Sequence, residues 1–116
     1  MTTVLIVDDS ERFRRSACLL LEDDGFEIVG EAEDGGSALE QVERLRPALV
    51  VLDVQLGQDD GFEIAERLAA RPEPPAVVMV STHDAAGYAA QLARTTACGF
   101  IAKADLSGDR LAAMLA

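Results

Sequence analysis

Hydrophobic and polar positions along the chain follow two periodicities that alternate from one end to the other. Short continuous apolar runs predict five buried strands, and apolar positions three or four residues apart predict five amphipathic helices that follow them. The predicted strands cover residues 4–7, 26–32, 48–52, 76–80 and 99–102. The predicted helices cover residues 10–24, 38–45, 62–69, 85–94 and a last segment after Ser107.

Residues at the helix ends support these assignments. Gly25 suits the position just after a helix, Pro47 stops the second apolar stripe, and Ser107 suits the cap of the last helix. The fourth helix is alanine-rich and only weakly amphipathic, so it is the least strongly predicted of the five.

Strict alternation of strands and helices defines the predicted architecture. Continuous apolar strands separated by amphipathic helices are typical of a parallel sheet covered on both faces, which is an α/β doubly wound fold. In such sheets ligands bind beyond the carboxyl ends of the strands, where the strand order reverses. The sequence therefore directs attention to the residues that follow each strand.

Composition narrows the functional classes. The chain has 116 residues, which predicts one domain, and its net charge of −11 opposes direct binding to nucleic acid phosphates. No segment has the pattern of a signal peptide or a membrane span, so we expect a cytoplasmic protein without a membrane partner. Cys18 and Cys98 have no metal-binding spacing and are interpreted as reduced core residues.

Five polar side chains follow the predicted strands and should share one edge of the sheet. Asp8 and Asp9 follow the first strand, Asp53 the third, Ser81 the fourth, and Lys103 the fifth. Taken alone, most of them have a plain structural explanation as a helix cap, a turn hydroxyl or a solvated lysine. Asp53 is the hardest to explain in this way, because no predicted helix begins directly after it. Together, three carboxylates repel one another and require a positive counter-charge, which Lys103 and a divalent cation such as Mg²⁺ would supply.

This constellation predicts phosphoryl chemistry. A carboxylate can attack phosphorus and form an acyl phosphate, while cations and a hydroxyl stabilise the phosphoryl oxygens. Asp53 is the candidate nucleophile, Asp9 a metal ligand, Lys103 the second cation and Ser81 the hydrogen-bond donor to phosphate.

The chain resembles the receiver domain of two-component response regulators over essentially its whole length. The matching segments are VLIVDDS at 4–10, LVVLDVQL and DGFE within 49–63, VVMVST at 77–82 and GFIAK at 99–103. The ending GFIAKADLSGDRL is most similar to receivers of the NarL/LuxR subfamily. The resemblance implies a flavodoxin-like (CheY-like) five-stranded sheet of order 2-1-3-4-5 and a receiver over residues 1–116 with no effector domain in this chain.

The resemblance also implies roles for particular residues. Asp53 would accept the phosphoryl group from a sensor histidine kinase, with Mg²⁺ bound by Asp9 and Asp53 directly, by Asp8 through water and by the main-chain carbonyl of Gln55. Phe100 falls on the aromatic switch position, although it also fits as an ordinary core residue. The surface of the fourth helix, fifth strand and fifth helix would carry the signal to an effector.

The implied chemistry is confined to the domain's own phosphorylation and dephosphorylation, so it is not an enzyme acting on other substrates. The output would be transcriptional, and a homodimer formed on phosphorylation is one partnership that the resemblance allows.

Three positions depart from the family pattern. The loop after Asp53 lacks a proline, Thr82 stands where Ala or Gly is usual, and Ala104 stands where Pro is common. We expect Thr82 to slow hydrolysis of the acyl phosphate by crowding the approach of water. Without proline, a cis Lys103–Ala104 bond would cost roughly 2.5–4 kcal/mol, so we predict a trans bond. We also predict a mobile loop after the fifth strand and a Lys103 that is less firmly held toward Asp53 before phosphorylation.

Two other functions are compatible with parts of the pattern. A phosphatase of the haloacid dehalogenase type would need a second Asp two positions after Asp53, where Gln55 stands instead. A pseudo-receiver, which acts as an unphosphorylated interaction module, is disfavoured by the presence of Asp9, Asp53, Ser81 and Lys103 but is left open by the altered loops.

Overall fold

The computed structural model describes residues 1–116 and contains a five-stranded, all-parallel sheet at its centre. Its strands are β1 (Thr3–Val7), β2 (Glu27–Ala32), β3 (Leu49–Asp53), β4 (Ala76–Ser81) and β5 (Gly99–Ala102). In space their order is 2-1-3-4-5, so the strand order reverses between β1 and β3. The expected flavodoxin-like fold is confirmed.

Five α-helices and two short 3₁₀ turns connect the strands. The helices are α1 (Glu11–Asp23), α2 (Gly35–Leu45), α3 (Gly61–Ala69), α4 (Ala89–Leu92) and α5 (Gly108–Leu115), and the 3₁₀ turns are Ala85–Tyr88 and Lys103–Asp105. The single helix predicted over residues 85–94 is wrong in extent, because a 3₁₀ turn replaces its first half. Neither part contains a buried residue, so no apolar stripe holds this segment in one continuous helix.

Side-chain caps determine where the helices begin. Ser10 accepts a hydrogen bond from the Phe13 N–H, and Ser107 accepts one from the Arg110 N–H, as the sequence predicted for Ser107. Asp60 caps α3 in the same way through the Phe62 N–H. These bonds satisfy backbone donors that have no partner within the helix.

The core is divided between the two faces of the sheet because alternate strand residues point in opposite directions. One face packs against α2 and α3, and its buried set includes Leu5, Val7, Val50, Leu52 and Met79. The other packs against α1 and α5, and its buried set includes Val4, Ile6, Val51, Val78 and Leu111. Every residue of β3 is buried, so the end of this strand is held rigidly.

A small hairpin follows β3 and was not predicted. Two-residue strands at Gln55–Leu56 and Asp59–Asp60 pair antiparallel around Gly57, whose φ of 61° favours glycine. The chain then returns so closely that a Cβ at Gly61 would overlap the backbone carbonyl of Asp53. The glycine of the DGFE segment therefore lets α3 pack directly behind the end of β3.

Cysteine placement differs from expectation. Both cysteines are free, and Cys18 is half-buried in α1, but Cys98 is exposed. The interpretation of Cys98 as a core residue is wrong, because it lies in the segment before β5, where its Sγ donates to the Val77 carbonyl at 3.3 Å.

Candidate functional site

Three carboxylates meet where the strand order reverses. Asp8 and Asp9 follow β1, and Asp53 ends β3; their oxygens lie within 4.8 Å of one another. Asp8 is fully buried and Asp53 is 7% exposed, whereas Asp9 faces solvent. Two acids buried side by side need a compensating positive charge, because their carboxylates are largely shielded from water.

Asp8 is fixed by its surroundings. Its Oδ1 accepts a hydrogen bond from the Ser10 N–H at 2.8 Å, and its backbone carbonyl accepts one from the Arg14 guanidinium at 2.6 Å. Its Oδ2 lies 2.6 Å from Lys103 Nζ as an ion pair, but no hydrogen-bond donor is aligned with this buried oxygen. Asp8 thus retains one acceptor position that a cation or its bound water could use.

Lys103 is the resident counter-charge. Its Nζ lies 2.6 Å from Asp8 Oδ2 and 3.4 Å from Asp53 Oδ2, and it sits 4.4 Å from the centre of the Phe13 ring. Burial lowers the pKa of Lys103, but the contact with Asp8 and the charges of Asp53 and Asp8 outweigh that effect and raise the pKa overall. The lysine is therefore charged at neutral pH.

The predicted trans Lys103–Ala104 bond is confirmed, since the chain has no cis peptide. The predicted mobility of this loop stays a prediction. Lys103 already contacts Asp53 Oδ2 at 3.4 Å, although its Nζ lies closer to Asp8 Oδ2, at 2.6 Å. The segment after β5 forms the 3₁₀ turn Lys103–Asp105, and two carboxylates and an aromatic ring already surround the ammonium group. Ala104 itself is exposed.

Asp53 is an acid whose charge is poorly compensated. Its Oδ1 accepts a long 3.4 Å hydrogen bond from the Gln55 N–H, and its Oδ2 accepts one from Lys103 Nζ at 3.4 Å. Burial, followed by repulsion from Asp8, raises the pKa of Asp53 to about 6, and Lys103 only partly opposes this. The carboxylate would gain stability from any further positive charge or from bonding to an electrophile.

The donor set fits a hard divalent cation. The oxygens of three carboxylates converge here, and all-oxygen coordination is what Mg²⁺ prefers. One of these oxygens, Asp8 Oδ2, is buried and has no aligned hydrogen-bond donor. Gln55 is exposed, and its side chain donates to the Gly57 carbonyl at 3.0 Å. Coordination by its main-chain carbonyl stays a prediction.

Ser81 ends β4, beside the end of β3. The strand register pairs Asp53 with Val80 and Ser81 with Ala102, so Ser81 lies on the strand between Asp53 and the start of the Lys103 turn. The Ser81 side chain is buried, and its Oγ accepts a hydrogen bond from the His83 N–H at 3.1 Å. It also shares a 3.1 Å hydrogen bond with the Tyr88 hydroxyl.

The remaining predicted positions surround this group. Thr82 is exposed just beyond Ser81, so the structure leaves its predicted effect on water access untested. Phe100 is half-buried in β5 and packs against the α2–α3 face of the core. Its ring centre is 6.0 Å from that of Tyr88, which in turn is 6.0 Å from that of Phe62.

Sequence reasoning missed two residues that contact the site. Phe13 appeared only as part of the apolar stripe of α1, and Tyr88 lay in the weakly predicted fourth helix. The available signal was positional: Phe13 is one helical turn after the acidic pair, and Tyr88 is the only tyrosine in the chain. Neither position could be related to Lys103 or Ser81 without the packing of α1 and the 3₁₀ turn.

Comparison with known proteins identifies the family of this fold. The family model of the response regulator receiver domain matches residues 4–116. A signal receiver domain assigned to NarL of Mycobacterium tuberculosis superposes with a TM-score of 0.84 at 27% identity, covering 98% of this chain and 96% of that one.

Curated relatives are longer proteins that carry different names. The sensory transduction protein LytT of Bacillus cereus is 41% identical over 104 residues, which is 89% of this chain and 42% of that protein. A protein-glutamate methylesterase/protein-glutamine glutaminase of Alkalilimnicola ehrlichii is 38% identical over 109 residues, which is 90% of this chain and 28% of that protein. The chain thus spans less than half the length of these relatives. None of its helices is long and apolar enough to cross a bilayer.

Proposed function

Because this chain belongs to the response regulator receiver domain family, we propose that it accepts a phosphoryl group on Asp53 from a sensor histidine kinase. In this proposal Asp53 is the phosphoacceptor, Mg²⁺ is the cofactor, and phosphorylation changes how the domain contacts an effector. The domain catalyses only its own phosphorylation and dephosphorylation, and phosphotransfer from the kinase takes place in the cytoplasm.

The observation that carries the proposal is the environment of Asp53. The carboxylate stands at the end of the central strand, close to Lys103 and within 4.8 Å of two other carboxylates. Its pKa of about 6 shows that the surroundings do not fully stabilise its charge. At neutral pH it is nevertheless largely ionised, so an oxygen lone pair is available for attack on phosphorus.

The transfer can be written with the residues in hand. An Asp53 carboxylate oxygen forms a bond to phosphorus while the phosphorus–nitrogen bond of a phosphohistidine breaks, and the bonding electron pair remains on the imidazole nitrogen. Lys103 neutralises charge on the phosphoryl oxygens, and the Ser81 hydroxyl donates a hydrogen bond to one of them.

Asp8, Asp9 and Asp53, together with the Gln55 carbonyl, would hold Mg²⁺. When bound, the cation offsets the negative charge that collects on the carboxylates and the phosphoryl oxygens. The buried Asp8 oxygen without an aligned donor supports this assignment. Asp9 is exposed, so the cation could enter from solvent.

The output surface is proposed to comprise α4, β5 and α5. Phe100 lies on β5 and packs through Tyr88 next to Ser81, so a movement of the Ser81 hydroxyl can be passed to this face. An effector that binds one arrangement better than the other would be switched by phosphorylation. The relatives differ in output; we propose a transcriptional effector, by analogy with the NarL/LuxR subfamily, and pairing of two phosphorylated copies.

The proposal is tested by incubating the protein with acetyl phosphate and Mg²⁺ and measuring intact mass. Wild-type protein should gain one phosphoryl group, whereas Asp53→Asn and EDTA-treated wild type should not. Asp105→Asn, which removes an exposed acid from the turn after Lys103, is the matched control and should behave as wild type. Equal mass gain in Asp53→Asn and wild type would overturn the assignment.

A further inference from the structure

The hydroxyl of Tyr88 contacts the proposed site through a single partner. Its oxygen lies 3.1 Å from Ser81 Oγ, and its ring packs between those of Phe62 and Phe100 with both ring centres at 6.0 Å. Tyr88 is the only tyrosine of the chain, and the other members of this aromatic group have no hydroxyl. Only Tyr88 can therefore connect the group to Ser81 by a hydrogen bond.

The direction of this hydrogen bond follows from the partners of Ser81. Its Oγ already accepts from the His83 N–H at 3.1 Å, and the side chain is buried with 4% of the residue exposed. The Ser81 hydroxyl makes no further hydrogen bond within the protein, so the Tyr88 oxygen is the only protein acceptor for the Ser81 proton. A buried hydroxyl proton without an acceptor is costly, whereas the proton of the half-exposed Tyr88 can turn towards water.

We propose that Tyr88 is a positioning residue that takes the Ser81 hydrogen bond in the unphosphorylated protein and so competes with the phosphoryl group for it. This inference rests on the proposed function of Asp53. The single Ser81 proton cannot be donated fully to the Tyr88 oxygen and to a phosphoryl oxygen at once. Phosphorylation breaks the Ser81–Tyr88 bond and releases the 3₁₀ turn Ala85–Tyr88, which no buried side chain anchors.

The consequence is a switch with two aromatic members. Phe100 occupies the position implied by the family resemblance but has no hydroxyl with which to sense Ser81. Tyr88 supplies that contact from the neighbouring turn and passes it to Phe100 and Phe62 through ring packing. The polar and the apolar functions of the switch are thereby divided between two residues.

The ligand-free arm of the test measures the hydrogen bond itself. Urea unfolding of wild type, Ser81→Ala, Tyr88→Phe and the double variant forms a cycle. Because Tyr88→Phe retains the ring, we expect the cycle to show coupling of about 3- to 10-fold in the unfolding equilibrium constant, as for one net hydrogen bond. Additive effects of the two substitutions would overturn the proposal.

The second arm measures competition by titrating beryllofluoride, with Mg²⁺ present, in a calorimeter. Tyr88→Phe should bind this phosphoryl mimic about 3- to 10-fold more tightly than wild type, because Ser81 no longer has to leave a partner. Thr95→Val removes another hydroxyl from the same segment, where Thr95 accepts from the Ala97 N–H, and should leave the affinity unchanged.

Unchanged or weaker binding by Tyr88→Phe, with normal binding by wild type, would overturn the competition and leave the role of Asp53 intact. Absence of binding by wild type would overturn the proposed function and the competition with it. The unfolding cycle would still report separately on the hydrogen bond.

Discussion

At the scale of single residues, the site is controlled by charge that is only partly compensated. Burial and repulsion from Asp8 raise the pKa of Asp53 from its ordinary value of 3.8 to about 6, and Lys103, which lies nearer to Asp8, only partly opposes this. The carboxylate that is held least well in the unphosphorylated protein is the one proposed to react. The cost of this poorly compensated charge can be measured as a change in the free energy of unfolding.

Asp53→Asn should stabilise the metal-free protein near neutral pH by about 2–3 kcal/mol, because each pKa unit corresponds to about 1.4 kcal/mol. The raised pKa means that Asp53 binds a proton more tightly in the folded protein than in the unfolded chain. The stability that protonation of Asp53 contributes is therefore complete below pH 3.8 and is lost as the pH rises through about 6. The gain from Asp53→Asn should therefore shrink as the pH falls across that interval. Urea unfolding in EDTA measures this difference in the free energy of unfolding, with Asp105→Asn as the control. A loss of stability in Asp53→Asn at neutral pH would contradict a poorly compensated Asp53 charge.

The Phe13 ring should help to hold Lys103. A cation over an aromatic face is stabilised by about 0.5–2 kcal/mol, so Phe13→Leu should slow phosphorylation by acetyl phosphate about 2- to 30-fold. Phe13→Tyr keeps an aromatic face and should remain near the wild-type rate. Equal slowing by both substitutions would indicate that packing of α1, not the ring's contact with the ammonium, is responsible.

Thr82 is predicted to lengthen the lifetime of the acyl phosphate. The residue is exposed immediately after Ser81, where its bulk is available to crowd water approaching the phosphorus. Thr82→Ala should speed loss of the phosphoryl group, measured by intact mass over time after removal of the phosphodonor. A rate equal to or slower than wild type would show that the side chain points away from the path of the water.

At the scale of elements, the segment between β4 and β5 is the least constrained. It consists of a 3₁₀ turn and one turn of α-helix without a buried residue, whereas each other helix buries at least two. Few buried contacts mean a low free energy of local opening. This is the part of the fold best able to adopt two arrangements.

Amide hydrogen exchange with and without beryllofluoride should therefore change most between residues 81 and 106. The Ser81–Tyr88 bond lies inside this interval, and the interval ends at the turn that carries Lys103. Exchange in α1 and α2 should change less, because both helices are anchored in the core. Changes confined to α1 and α2 would contradict the proposed signalling surface.

The same contrast explains what the sequence could predict. The five strands and four of the helices carry strong apolar periodicity, and their order along the chain and approximate ends followed from it. The start of α2 did not, because its first turn, from Gly35, precedes the apolar stripe that begins at Ala38. The hairpin at Gln55–Leu56 and Asp59–Asp60, and the split fourth helix, contain no periodic apolar pattern that could specify them. The contacts that hold Lys103 could not be predicted, because Asp8 and Phe13 are distant from it in sequence and meet it only in the folded chain.

At the scale of the whole molecule, the fold gathers residues from four strand ends into one acidic edge. Sequence position alone indicated Asp8, Asp9, Asp53, Ser81 and Lys103, since the carboxyl ends of parallel strands share one side of a sheet. The distances and burial that distinguish Asp8 from Asp9 required the structure. The curated relatives extend well beyond this domain, so the effector is proposed from the family and not from this chain.

Asp53, and no other acid of the chain, is proposed to receive the phosphoryl group. The most direct test is to phosphorylate the protein with acetyl phosphate and Mg²⁺, reduce the acyl phosphate with borohydride, and sequence the peptides by mass spectrometry. Reduction converts a phosphorylated aspartate into homoserine, so we predict homoserine at position 53 and unmodified aspartate at positions 8 and 9. Homoserine at another acidic position, or none in a protein that has gained a phosphoryl group, would contradict this account.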